Sequence, residues 1–246
     1  METTGSSFAK GLAVLGCLLD RDRVRADEIA DGLGMPLSST YRYLRTLRQG
    51  GFAAEIGGTY VAGPRLRGHV GGVTTRVLGE LAAPFLDHLV EVTTETAVLT
   101  VRRGRHAICI GQAESSHRIH LAFRVGQLLP LYAGAGQRVL LAFAPDHVVR
   151  DVLDNELRTF TAETPSRREV LRTLGRIKEA GYAVSRGEIM TGAIAIGVPV
   201  LHGQSALCAL TVAGPRDRCP ASWREHARRE LTAAASSLAE LLVPQA

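Results

Sequence analysis

The tripeptide Gly34-Met35-Pro36 constrains this chain more than any other short stretch. Glycine readily takes the left-handed backbone that ends a helix, and proline is favoured in the first turn of the next one. Before it, Val24 to Leu33 reads as a helix with Asp27-Glu28 in its first turn, where carboxylates favour the helix dipole. After it, Ser38 to Arg48 reads as a helix in which Thr40, Tyr43, Leu44 and Leu47 recur at helical spacing and face a core. Ser38, Ser39, Tyr41, Arg42 and Arg45 fall on the remaining surface, and no acidic residue lies between Asp31 and Glu55. A positive helix with short hydroxyl donors at its start suits a DNA major groove. The plainer reading is a solvated arginine face.

The flanking segments narrow the choice. Residues from about 7 to 20 predict a first helix, with Phe8, Leu12, Leu15 and Leu19 at helical spacing. After Gly50-Gly51, the runs Phe52 to Ile56 and Thr59 to Ala62 flank Gly57-Gly58, which predicts a β-hairpin. Helix, helix, turn, helix, hairpin is the winged helix-turn-helix order. Within the first helix, Val14-Leu15-Gly16-Cys17 looks like a lipoprotein cleavage box. The short apolar run, the single Lys10 ahead of it and the continuation as Leu18-Leu19 argue against export.

A chain of 246 residues has room for a second domain. With 29 Lys+Arg against 24 Asp+Glu, charge permits a nucleic-acid partner without demanding one. Cys17, Cys109, Cys208 and Cys219 have the spacing of neither a zinc site nor a disulfide framework, so a reducing, cytoplasmic setting is expected. No stretch is long and apolar enough to span a membrane. No metal or cofactor is expected: His117-Arg118-Ile119-His120 offers too few ligands beside Glu114. The rival class is an enzyme, but the chain carries no nucleophile elbow, P-loop or His-Glu-x-x-His helix. A DNA-binding regulator without a ligand is the other alternative.

Composition changes after Gly63-Pro64. Leu66 to Thr75 is glycine-rich and reads as a linker. Val77 to Val92 has helical periodicity. Strands are expected at Ala97 to Val101, Ala107 to Gln112 and His120 to Val125, with helices at Ala135 to Phe143 and Ser166 to Ala180. Gly192 to Val200 and Ala206 to Ala213 read as a hairpin, and a long helix runs from about Ala221 to Leu242. The expected architecture is α+β: a winged helix-turn-helix domain at 1–65, a linker at 66–79, and a domain with a mainly antiparallel sheet at 80–246.

The chain resembles the IclR family of bacterial transcriptional regulators. In the first domain the resemblance rests on Asp27-Glu28-Ile29-Ala30, Leu33-Gly34-Met35-Pro36, Ser38-Ser39, Arg42, Leu44, Leu47, Gly51-Phe52 and Tyr60-Val61-Ala62-Gly63. In the second it rests on Val125-Gly126, Pro130-Leu131-Tyr132-Ala133, Gly181-Tyr182, Gly192 to Val200 and Gly214-Pro215. The resemblance implies a GAF-like effector-binding domain, a homodimer or dimer of dimers, and double-stranded operator DNA as partner. It also implies regulation, as repressor or activator, by a small organic or aromatic acid. Two departures concern DNA: Leu37 stands where relatives often carry a base, and the hairpin tip Glu55-Ile56-Gly57-Gly58 carries none, so Arg65 and Arg67 are the nearest positive charges.

The resemblance places the effector site at Gly134-Ala135-Gly136, the segment from Ser185 to Glu188, Ala195, Thr211 and Ala213. The glycine turn before a helix is open to two readings: backbone N–H groups cradling a carboxylate, or a tight packing turn. Gln137-Arg138 replaces the family's Gly-Lys, and Ser185, Gly187, Ala195 and Ala213 leave a less polar pocket. The expected site is therefore apolar, with Tyr132 on its wall beside Leu128 and Leu129, with Leu121 and Phe123 either as further wall or as plain strand core, and with Arg186 as a fixed positive charge.

Overall fold

The computed structural model describes residues 6–21, 23–66, 69–70 and 73–242. The chain divides into two compact units, Met1–His69 and Val70–Ala246. Gly68, Gly71 and Gly72 of the glycine-rich stretch, and Arg67, lie outside the described residues.

The first unit contains α1 (Ser7–Asp20), α2 (Ala26–Leu33), α3 (Leu37–Gln49), β1 (Ala53–Ile56) and β2 (Thr59–Ala62). Ser6 caps α1 by accepting a hydrogen bond from the Ala9 amide at 3.3 Å. Gly34 ends α2 at φ 61, as the turn chemistry requires. Gly57 and Gly58 have φ values of 58 and 76, so both central residues of the hairpin turn are left-handed. Val24 and Tyr60 exchange backbone hydrogen bonds of 2.9 and 2.7 Å, which fasten the hairpin to the helices. The core gathers Val14, Leu18, Val24, Ile29, Leu44 and Tyr60, with Tyr43 and Leu47 packed against it. On α1 it is Val14 and Leu18 that face this core; Phe8, Leu12 and Leu19 are exposed.

The short strands β3 (His69–Val70) and β4 (Val73–Thr74) pair with each other at the junction. The second unit continues with α4 (Thr75–Thr93), β5 (Thr96–Arg103), β6 (His106–Ala113), β7 (Leu128–Pro130) and α5 (Ala135–Ala142). Then follow α6 (Asp146–Asp154), α7 (Arg167–Ala180), β8 (Ala183–Arg186), β9 (Ala193–His202), β10 (Ser205–Pro215) and α8 (Ala221–Leu242). The sheet runs β7-β6-β5-β10-β9-β8, with every neighbouring pair antiparallel.

Two corrections to the sequence reading follow. His120 to Val125 is not a strand: the edge of β6 is taken by β7, and the Cys109 amide bonds Gln127 O at 3.1 Å. Thr75 to Gly79, read as the end of a linker, is the first part of α4; of the glycines from Gly68 onward only Gly79 falls within the helix, too few to prevent it. The strands β7 and β8 and helix α6 were not anticipated.

Side-chain size alternates across the sheet with the period of two that strands impose. Ile196, Val198 and Val200 of β9 and Cys208, Leu210 and Val212 of β10 face α4 and α8 in one core. Ala195, Gly197, Ala209, Thr211 and Ala213 point to the other side, toward α5. There the helix comes very close: a Cβ on Gly197 would lie 2.5 Å from Gly136 N, and one on Gly136 would lie 2.2 Å from Thr211 Oγ1. Burial pushes the Cys208 and Cys219 thiols up to about 12, so they behave as small apolar groups. No described helix is long and apolar enough to cross a membrane.

Candidate DNA-reading face and effector cavity

The packing of Thr40 and Leu44 decides how α3 is turned, since both are fully buried. That leaves Ser38, Tyr41, Arg42 and Arg45 exposed and Ser39 half-buried on the outer side. Ser38, Tyr41, Arg42 and Arg45 line one open concavity together with Arg48, Gln49 and Tyr60. Arg48 and Gln49 were missed in the sequence although they continue the same face by one turn; Tyr60 comes from the hairpin, which helical spacing alone does not place. The Arg42 guanidinium sits 5.4 Å from the Tyr43 ring centre, and the Tyr43 hydroxyl meets Ser7 Oγ at 3.1 Å. Among the described residues neither Arg42 nor Arg45 has an acidic partner, whereas Arg48 is paired with Glu55 of β1. Arg65 stands over the Phe52 ring at 5.6 Å.

In the second unit a cavity of about 110 Å³ lies between the start of α5 and the small-residue face of the sheet. Val98, Thr100, Ala195, Thr211 and Ala213 form its floor, and Gly134, Ala135 and Gln137 one side. Leu121, Phe123, Leu129, Ile189 and Met190 supply apolar walls, and Ser185, Glu188 and Gln127 the polar ones. Thr211 is 6% exposed and its Oγ1 has no hydrogen-bond partner.

Six of the nine expected residues therefore meet at this cavity: Gly134, Ala135, Glu188, Ala195, Thr211 and Ala213. Gly136 lies beneath them against Thr211 and Gly197. Tyr132 turns to a separate groove, with its hydroxyl on Arg158 O at 2.9 Å, and Leu128 lines that same groove. Arg186 is not the fixed charge of the cavity. Ser185 points inward on β8, so its neighbour must point outward, into a concavity it shares with Glu163 and Arg172.

The charge at the cavity wall belongs to Glu188. Its Oε2 accepts from the Gly134 amide at 2.8 Å, and its Oε1 pairs with Arg138 Nη1 at 2.5 Å. Arg138 is 8% exposed and also donates to Thr173 Oγ1 at 3.0 Å. Burial pushes the Glu188 carboxyl above its ordinary value, while Arg138, the Gly134 amide and Ser185 pull it down. Thr161 and Thr164 hold the backbone carbonyls of Gly187 and Glu188 at 2.7 and 2.8 Å, which fixes the segment. Among the described residues no group of three or more His, Cys, Asp or Glu side chains is placed to hold a metal; His120 Nδ1 lies 2.8 Å from His117 O.

Comparison with known proteins agrees with both halves. The IclR helix-turn-helix domain matches residues 7–56, and the bacterial transcriptional regulator IclR C-terminal domain matches residues 72–240. The transcriptional repressor AllR of Salmonella typhi is 28% identical over 220 residues, covering 86% of this chain and 80% of its own. AllR of Escherichia coli K12 is 27% identical over 219 residues, covering 86% and 81%. The IclR crystal structure from Thermotoga maritima superposes with a TM-score of 0.65 at 26% identity, over 96% of this chain and 98% of that one. An IclR homologue from Microbacterium hydrocarbonoxydans complexed with 4-hydroxybenzoate shares the fold, with a TM-score of 0.62 at 23% identity over 95% and 99%. The C-terminal match alone spans more than half the chain, and its partner is a helix-turn-helix: this protein is a member of the IclR family, a DNA-binding transcriptional regulator and not an enzyme.

Proposed function

We propose that the chain reads a palindromic operator as a homodimer or dimer of dimers in the cytoplasm, through Ser38, Ser39, Tyr41, Arg42 and Arg45. Residues 66–74, ahead of α4, join this reading domain to the sensing one. A small organic or aromatic acid in the cavity between α5 and the sheet modulates that binding. The observation that carries the first part is the α3 face, where Arg42 and Arg45 stand exposed with no described acidic partner. Arginine can take guanine in a bidentate way, and the serine hydroxyls can bond phosphates or base edges. The second part is supported by six expected residues around one cavity, and by a protein of the same fold that holds 4-hydroxybenzoate. Phe8 at 75% exposure and Leu12 and Leu19 at 51% form an apolar stripe on α1, which suits a second copy.

The test is a gel shift with DNA from upstream of the chain's own gene, at two salt concentrations and with or without candidate acids. Salt-sensitive, sequence-selective binding that an acid alters is the expected result. Acid-independent binding removes the sensing half, and a single-chain mass in solution removes the dimer. The wing supplies a further expectation. Glu55 neutralises Arg48 and adds negative charge to the hairpin. Glu55→Gln should therefore raise operator affinity by about three- to tenfold at low salt, an effect of about 1 kcal/mol that salt weakens. Unchanged affinity in a fluorescence-anisotropy titration would place the hairpin away from the DNA.

A further inference from the structure

An acid bound between α5 and the sheet faces an unusual electrostatic setting. Two features of this fold could hold an anion there: the amides at the start of α5 and the buried guanidinium of Arg138. The protein's own carboxylate engages the guanidinium and the amide just before the helix, since Glu188 takes Gly134 N with one oxygen and Arg138 with the other. Among the described residues no Lys, Arg or His lines the cavity, and Glu188 is the one ionisable group that does. A compact space of about 110 Å³ is about 6 Å across, so any second carboxylate inside it lies where the charge of Glu188 opposes its ionisation. Glu188 is held from behind as well: Thr161 and Thr164 bind the backbone carbonyls of Gly187 and Glu188, so the group is not free to swing away. On its outer side the charged residues that share a concavity with it are Arg138, Glu163, Glu169, Arg172 and Arg186.

We propose that this cavity takes its effector acid together with one proton, so that the carboxyl group and Glu188 carry a single negative charge between them. The proposal rests on the reading of the cavity as the effector site. The acid enters as its anion plus a proton from solvent. The proton then lies between the two carboxyl groups, on either one, and no bond other than an O–H forms or breaks. Thr211 Oγ1, buried and without a partner, is available for the remaining oxygen. The surrounding walls of Leu121, Phe123, Leu129 and Ile189 favour an apolar body. An apolar cavity of about 150 Å³ accommodates benzene, so this smaller space of about 110 Å³ fits short branched acids as it stands, and a single-ring acid enters when its apolar walls give way.

The sign of the pH dependence follows. Above pH of about 5 the supply of protonated acid falls about tenfold per unit, and affinity falls with it. An amide of the same shape carries no charge, so its affinity stays level.

The experiment is calorimetric titration of the full chain with isobutyrate, benzoate, isobutyramide and benzamide between pH 5.5 and 8. At pH 7 the acids are titrated in two buffers of different ionisation enthalpy. The expected result is an acid affinity that drops about tenfold per pH unit, with about one proton taken up per acid, beside a flat amide profile. Glu188→Gln removes the competing charge and leaves Arg138 unpaired, so its acid affinity should lose the slope and exceed wild type at pH 8. Acids that bind wild type equally well across this range, with no proton uptake, overturn the proposal and leave the effector site standing. Binding of none of the four probes at millimolar concentration overturns the effector-site reading itself. The wild-type titrations decide between these outcomes even if the variant does not fold.

Discussion

Arg42→Ala is expected to lower operator affinity by about 30-fold or more while leaving the fold intact. Arg42 is exposed on α3 one turn after Ser38 and Ser39, its guanidinium steadied over the Tyr43 ring. Thr40 and Leu44, not Arg42, carry the burial that orients the helix, so the substitution leaves the core alone. A bidentate arginine–guanine contact is worth about 1–3 kcal/mol of discrimination. A dimer uses it twice, and about 2 kcal/mol already corresponds to about 30-fold. Anisotropy titration on specific and scrambled operators separates the roles. Loss on the specific site alone marks base readout. Equal loss on both, with a smaller salt slope, marks a phosphate contact. Wild-type affinity for both DNAs would mean that α3 is not the reading element.

Gly197→Ala should be the most damaging single methyl in the second unit, costing about 3 kcal/mol or preventing folding. Its Cβ would sit 2.5 Å from Gly136 N, 2.7 Å from Gly136 Cα and 2.8 Å from Ala135 C. These are backbone atoms, so no side-chain rotation relieves the clash. Helix α5 would have to lift from β9, and every residue of α5 is buried. Gly175→Ala is the control. It lies exposed in α7 with nothing within 4 Å of the added atom. There alanine should be neutral or stabilise by about 0.5–1 kcal/mol, as expected for a helix interior. Urea unfolding monitored at Trp223, within this unit, compares the pair. Equal midpoints for the two variants would show that α5 does not need its close seat on the sheet.

The sequence was most legible where short-range chemistry decides the structure. Gly34 had to be left-handed between two helical patterns, and Gly57-Gly58 had to make a primed turn; both do. Orientation of α3 followed from helical spacing alone. What failed depended on distant partners. The strand expected at His120 to Val125 does not form: Leu121 and Phe123 alternate as strand residues do, yet they take the other role open to them and wall the cavity. The strand β8 is too short to announce itself, so the inward turn of Ser185 was invisible and Arg186 was placed on the wrong side. Glu188 was named for the site, but its bonds to Gly134 and Arg138 span 54 and 50 residues of sequence, and no local pattern encodes them.

The unequal faces of β9 and β10 divide the labour of selection. The broad side chains Ile196, Val198, Leu210 and Val212 answer to α4 and α8, and any change in them is felt as stability. Ala195 and Ala213, one residue away along the same strands, answer to the volume of the cavity. Exchanging either for valine or serine redraws the space offered to a ligand while the opposite core keeps every contact it has. Such a sheet can keep its fold under strict purifying pressure and still drift in chemical taste, one methyl group at a time.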